Sequence, residues 1–240
     1  PPQIAIISQT ISNGNVYDAA REFVYDAAKR LKEVQYTGAN GGNINEKYTY
    51  NGNQVQYRYY IAGAEAPSAA ADYTLNAKGL AEKVVNSYNN TTYLYEYNAA
   101  GYLARINYVR NGTGQGYELY HYSDNNILDS ISGFFADGTK SLVHVFTYEA
   151  GKKNTIGDEN KGLQMLGKDP SAPVKKRTLF TYAYPGMTGV RLKYSEYDYT
   201  YEYDAGGRIK KHSNIMTQYG WPGGTSQSYT KEVVEYTYKQ

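Results

Sequence analysis

The chain has 240 residues, 25 Lys and Arg against 23 Asp and Glu, three His and no Cys. Such a balance offers no bulk field for nucleic acid or an anionic membrane, and the missing cysteines exclude disulfides, Cys-ligated zinc, iron–sulfur clusters and thiol catalysis. No apolar run reaches the length of a membrane helix and no signal peptide opens the chain, so Pro1-Pro2 reads as a trimmed start.

Residues 1–16 hold a short apolar strand, Ile4 to Ile7, and an Asn13-Gly14 turn. A hairpin signature then recurs, an aromatic pair at period two followed by a turn: Phe23-Val-Tyr25-Asp26, Tyr48-Thr-Tyr50-Asn51, Tyr73-Thr-Leu75-Asn76, Tyr95-Glu-Tyr97-Asn98, Tyr120-His-Tyr122-Ser123 and Phe146-Thr-Tyr148-Glu149. Phe180-Thr-Tyr182 follows, then the fullest copy, Tyr197 to His212, and the chain closes on Tyr236-Thr-Tyr238. In the fullest copy Tyr197, Tyr199, Tyr201 and Tyr203 share one strand face, while Asp198, Thr200 and Glu202 take the other. Asp204 suits the first position of a type I turn, and Gly207 supplies the positive φ that closes it. Val16 to Leu31 is alanine-rich, but its F-V-Y-D-A-A-K-R-L matches the repeat and reads as strand.

The residue before the turn falls at positions 25, 50, 75, 97, 122 and 148, a spacing of about 25 residues that fits two strands and two connections. The reading is one all-β domain over residues 1–240, an antiparallel up-and-down meander of about fifteen to seventeen strands forming a closed or flattened barrel. Its last strand, Lys231 to Lys239, is expected to pair near the first and close the edge. Connections opposite the tyrosine turns read as longer, with insertions at 157–175 and 217–228 assigned to that rim. Loops held by a rigid sheet are where binding residues concentrate.

The motif Y-x-Y-[DN]-x-x-G-x-[LI]-x-x-[IV], read in Tyr95 to Ile106 and closely in Tyr201 to Lys211, resembles the tyrosine-aspartate repeat of bacterial Rhs-type toxins and teneurins. From about residue 17 onward the chain is also similar to domain of unknown function 4595, a family of secreted, usually lipid-anchored proteins of Gram-negative gut bacteria with a porin-like fold. Departures are Leu75 in place of Tyr, Asn126 in place of Gly and the compressed segment around Pro185. This resemblance implies a barrel-like meander at the periplasm or outer-membrane surface, with a lipid anchor upstream; it implies no activity.

Tyrosine supplies 30 residues against five Phe and one Trp, and its hydroxyl wants a partner wherever the ring is buried. Tyr runs through the strands and the mean hydropathy is −0.68, which argues against a lipid-facing apolar band and for a barrel that does not span a membrane. A barrel this wide must be filled. Rows of inward Tyr could do so, the insertions could plug it, the sheet could flatten into two packed layers, or a ligand could enter; the Tyr stripe itself reads either as a packing core or as the lining of a cavity for a glycan or other polar-aromatic ligand.

Candidate ligand-binding residues are Tyr197, Tyr199 and Tyr201 on the stripe, with Tyr219 and Trp221 in the Gly/Pro-rich segment Gln218 to Gly224. Trp221 is either a stacking platform for a sugar ring or the anchor of its loop, and Phe134-Phe135 reads the same way. His121, His144 and His212 lie in different repeats and read as strand residues, with no metal or cofactor expected. Asp198 with Glu202, and Glu232 with Glu235, read as solvated strand faces rather than a glycosidase pair. Gly112 to Gly116 is a hairpin connection rather than a phosphate loop, Asp158-Glu-Asn160 lacks calcium-loop spacing, and Lys175-Lys176-Arg177 reads as a solvated edge. A non-catalytic, monomeric envelope protein binding a glycan is the leading expectation. The alternative is a structural module whose loops meet an envelope protein.

Overall fold

The computed structural model describes residues 4–12, 16–37, 43–123, 125–182, 189–219 and 227–239. Among them the strands are β1 (Ile4–Ser12), β2 (Val16–Tyr25), β3 (Leu31–Thr37), β4 (Ile44–Asn51), β5 (Gln54–Ile61), β6 (Ala64–Glu65), β7 (Ala71–Leu75), β8 (Ala81–Asn86) and β9 (Thr91–Tyr97). The second half supplies β10 (Leu103–Arg110), β11 (Thr113–Tyr122), β12 (Leu128–Phe135), β13 (Lys140–Tyr148), β14 (Val174–Thr181), β15 (Leu192–Tyr203), β16 (Ile209–Gln218) and β17 (Gln227–Tyr238). Each pairs antiparallel with its sequence neighbour, except that β6 is a two-residue ladder beside β5, which pairs onward with β7. β17 returns to β1 along Ile7↔Tyr236 to Ser12↔Lys231, so sixteen strands form a closed ring. The expected closure by the last strand is therefore present.

Short turns mark one end of the barrel. At the Asp204 turn, the Gly207 N–H donates to the Asp204 carbonyl at 3.0 Å. The Asp204 carboxylate accepts the Gly206 and Arg208 backbone N–H groups, each at 2.9 Å, and Arg208 Nε at 2.7 Å. Gly207 has φ of 77°, the left-handed value that glycine adopts without steric cost. Asn76 and Asn98 make the same side-chain bonds to their turns. Where glycine is missing, Lys29 (φ 63°) and Asn126 (φ 56°) take the left-handed conformation instead.

After several of these turns the ladder carries a bulge, at Leu31, Leu128, Val174 and Ile209, with an equivalent shift at Ile4. An extra residue disrupts the ladder locally and leaves a backbone group to satisfy. Tyrosine supplies the donor: Tyr25 Oη to Ile4 O at 2.6 Å, Tyr50 to Leu31 O at 3.0 Å, Tyr148 to Leu128 O at 2.7 Å, Tyr201 to Val174 O at 2.6 Å and Tyr238 to Ile209 O at 2.7 Å. In each case the acceptor opens the strand preceding that tyrosine. The spacing of Tyr and Leu/Ile in the repeat is thus the spacing of a hydrogen bond, and Ile4, Leu31, Leu128 and Ile209 are themselves buried.

The interior holds more than side chains. Residues 149–173, between β13 and β14, carry two short 3₁₀ turns, Asp158–Lys161 and Gln164–Leu166. The insertion expected at 157–175 on the rim opposite the tyrosine turns instead belongs to this connection, which leaves from the tyrosine turn after Tyr148 and closes the short-turn end. It is tied in by Leu31 N–H to Gly162 O (3.1 Å), Lys168 N–H to Gly101 O (3.0 Å) and Ile209 N–H to Thr155 Oγ1 (2.9 Å). Ile156 and Leu163 pack on the core formed by Ile4, Ile7, Phe23, Leu31, Val34 and Val234. An eight-stranded barrel is filled by its own side chains. A sixteen-stranded ring leaves room, and this plug takes part of it.

Candidate functional site

Above the plug is a cavity of about 300 Å³ inside the barrel. Its walls come from adjacent strands, because closure sets β16, β17, β1, β2, β3 and β4 side by side. Tyr36, Tyr48 and Tyr236 present rings to it, and Arg21, Glu46, His212 and Glu232 present polar groups. From the plug, Asp158 and Lys161 reach in as a pair, 2.9 Å apart.

Most of these polar groups are oriented by a neighbour. The Tyr36 hydroxyl donates to Glu46 Oε1, Asn214 Nδ2 donates to Glu232 Oε2, and Tyr236 Oη lies 3.0 Å from His212 Nδ1. Burial raises the Tyr48 and Tyr236 hydroxyls far above the ordinary phenol value and that of Tyr73 to about 12, so all stay protonated donors. Burial also lowers the pKa of His212, which holds the imidazole neutral at pH 7. In the plug, the half-buried Asp169 carboxyl is pushed up to about 6 by partial desolvation and by nearby Asp158, whose N–H it accepts. The cavity thus combines aromatic faces with carboxylate acceptors and hydroxyl donors. That combination suits a polyhydroxylated ligand.

Of the residues singled out from sequence, Tyr197, Tyr199 and Tyr201 all face inward. Tyr201 spends its hydroxyl on Val174 O, and its ring centroid is 5.9 Å from that of His212. Tyr199 lies 6.2 Å from His212, which stacks on Tyr236 at 5.7 Å, so the stripe runs into the cavity wall. Tyr219 is on the other side of the wall: its ring lies 4.4 Å from Lys193 Nζ, which pairs outside with Glu196. It does not join the inward three. Trp221 lies outside the described residues. Phe134 stacks on Tyr117 at 4.8 Å on the outer face, and Phe135 is exposed.

Two residues expected on solvated faces, Glu232 and Arg177, are inside. Glu232 lines the cavity, whereas Glu235 faces out toward Lys211 at 3.2 Å. In the basic cluster, Lys175 is exposed, Lys176 pairs outside with Glu196 and Asp198, and Arg177 turns inward over Tyr197. Arg21, Glu46, Asp158 and Lys161 were not singled out for this role. A signal existed for the first two: Arg21 precedes Phe23 and Tyr25, and Glu46 precedes Tyr48 and Tyr50, all at period two on one face. The hairpin connection expected at Gly112 to Gly116 is shorter: Asn111 (φ 50°) and Gly112 (φ 76°) make the turn, and Thr113 to Gly116 already pair in β11. Asp158-Glu-Asn160 belongs to the plug.

No helix among the described residues is long and apolar enough to cross a membrane, a statement that does not bear on strands. The chain matches no protein-family model and no curated protein. Solved structures do resemble it. A porin-like protein from Bacteroides uniformis superposes with a TM-score of 0.67 at 18% identity, over 98% of this chain and 96% of that one. A porin-like protein from Bacteroides vulgatus gives 0.57 at 12% identity, over 98% and 99%. At such identities the likeness establishes the fold, an all-β closed antiparallel barrel of porin-like architecture.

Proposed function

We propose that this barrel is a non-catalytic envelope protein of the domain of unknown function 4595 family, built as one domain and lipid-anchored, that binds a saccharide in its lumen. The observation carrying the reading is the cavity above the plug, where Tyr36, Tyr48 and Tyr236 stand among Glu46, Glu232 and His212. Sugar rings stack on aromatic faces, and their hydroxyls pair with carboxylates and phenols. The outer wall supports a barrel that does not span a membrane: Glu96, Asp198, Glu202, Lys211 and Glu235 face outward in ion pairs, where a membrane barrel carries an apolar band.

The experiment is a glycan array followed by calorimetry on the best ligand, with Glu46→Gln as the variant. The amide oxygen of Gln keeps an acceptor for Tyr36 while removing the charge, so the expected result is a tenfold or greater loss of affinity, about 1.5–3 kcal/mol for a charged hydrogen bond, with little change in melting temperature. Binding unaffected by Glu46→Gln, Tyr48→Ala and Tyr236→Ala alike would refute the lumen as the site. A second reading, a structural module meeting a protein partner, is favoured by six tyrosine hydroxyls spent on backbone carbonyls, the five above and Tyr97 on Met165 O at 3.4 Å. An array without hits would leave that reading in place.

A further inference from the structure

Arg177 stands apart from the other charged groups of the wall. In register it pairs with Phe146 on β13 and with Tyr197 on β15, which places it on the inner face. Its Nε donates to His144 Nδ1 at 3.1 Å, and its guanidinium carbon lies 5.5 Å from the Tyr197 ring centroid. The head group is thereby held on two sides. Its Nη groups meet no acceptor and no carboxylate among the described residues. By contrast Arg30, Arg58, Arg105 and Arg208 each hold a carboxylate, and Lys161 in the cavity is held by Asp158. Glu232, an inward carboxylate of the same sector, is engaged by Asn214.

A guanidinium presents a planar fork of donors that fits a two-oxygen anion. The His144 bond leaves the Nη fork free to meet such a group. The imidazole adds no competing charge: burial, and then the adjacent Arg177, lower its pKa to about 4. Position matters as well. Arg177 is level with Tyr197 and His212 with Tyr201, four residues along β15 or about 13 Å from the cavity toward the end opposite the plug. A chain of sugars can span that distance.

We propose that Arg177, held by His144 and Tyr197, is an oxyanion subsite that takes the carboxylate of a uronic acid or the sulfate ester of a sugar, so that the lumen selects acidic over neutral saccharides. This inference rests on the saccharide reading above, and the test separates the two. The His144 ring resonance is followed by NMR while glucuronate, and separately inorganic sulfate, is titrated into the wild-type chain and into Arg177→Gln. Calorimetry then compares a uronate-containing, a sulfated and a neutral oligosaccharide.

The expected result is a saturable shift in the wild type that is absent in Arg177→Gln. Acidic oligosaccharides should bind about tenfold to a hundredfold more tightly than neutral ones, with that preference abolished by Arg177→Gln and partly kept by Arg177→Lys. The two acidic ligands distinguish carboxylate from sulfate. Saturable shifts with no oligosaccharide bound would sustain the oxyanion subsite and overturn the saccharide reading. Oligosaccharides bound without charge preference, or shifts identical in Arg177→Gln, would overturn the subsite and leave the saccharide reading standing. Should Arg177→Gln fold poorly, absence of any saturable shift in the wild type refutes the subsite by itself.

Discussion

His144 makes the stability of this barrel depend on pH in a direction that can be worked out. Its Nδ1 accepts from Arg177 Nε, so a proton on Nδ1 would replace that bond with two opposed donors. Burial and the Arg177 charge together lower its pKa from 6.5 to about 4. The unfolded chain, with an ordinary histidine, takes up a proton near 6.5, and the folded chain does not. Stability from this residue is therefore complete above 6.5 and is lost as pH falls toward the folded value. Between about pH 7.5 and about pH 5 the loss is roughly 2 kcal/mol, from the ratio of protonation terms in the two states. Asp169 acts oppositely: its folded pKa of about 6 is raised from 3.8, so its stabilisation is complete below 3.8 and is lost as pH rises through 6. The His144 contribution must then be isolated by difference. Urea denaturation of the wild type and His144→Gln at the two pH values should show a loss in the wild type larger by roughly 2 kcal/mol, and NMR should find the His144 ring still neutral at about pH 5. Equal losses in both proteins, or a ring titrating near 6.5, would refute the reasoning.

Other predictions follow from single contacts. Lys29 is exposed in the left-handed conformation, so Lys29→Gly should raise stability by about 1 kcal/mol and Gly207→Ala should lower it by a similar amount, as read by denaturant midpoint. At Gly162 (φ 83°) a Cβ would lie 2.7 Å from Tyr25 Cε1 and 2.8 Å from the Leu31 nitrogen, so Gly162→Ala should loosen the plug and speed proteolysis within 149–173 at an unchanged enzyme dose. Tyr201→Phe strands the Val174 carbonyl and should cost about 1–3 kcal/mol in chemical denaturation, whereas Tyr219→Phe on the outer wall should cost far less.

How much of this was legible beforehand can be followed along β15 and its neighbours. Period-two tyrosines dictate strands, because only an extended chain puts Tyr197, Tyr199, Tyr201 and Tyr203 on one face, and the Asp204 to Gly207 segment dictates the turn through local bonds. Those are short-range consequences of covalent geometry, which is why the meander, its approximate strand number and the closing role of the last strand could all be read. Charged strand residues read as solvated faces, and Arg177 and Glu232 turn inward instead, alongside Arg21 and Glu46, which carried no assignment. In a small barrel the interior is filled and charged residues belong outside; in a ring of sixteen strands the lumen is wide enough for polar groups to be satisfied by one another, as Glu46 is by Tyr36.

Only closure could decide the site. Arg21 and His212 are far apart in sequence, and they share a cavity because β17 pairs back onto β1. The plug is a further case: the sequence marks 157–175 as an insertion, but whether such a segment covers the barrel or enters it depends on bonds to Leu31, Gly101 and Ile209 that come from three different turns. Local pattern determined the strands and turns of this protein. Which faces meet across the lumen, and what fills it, were settled by long-range pairing that no stretch of the chain encodes alone.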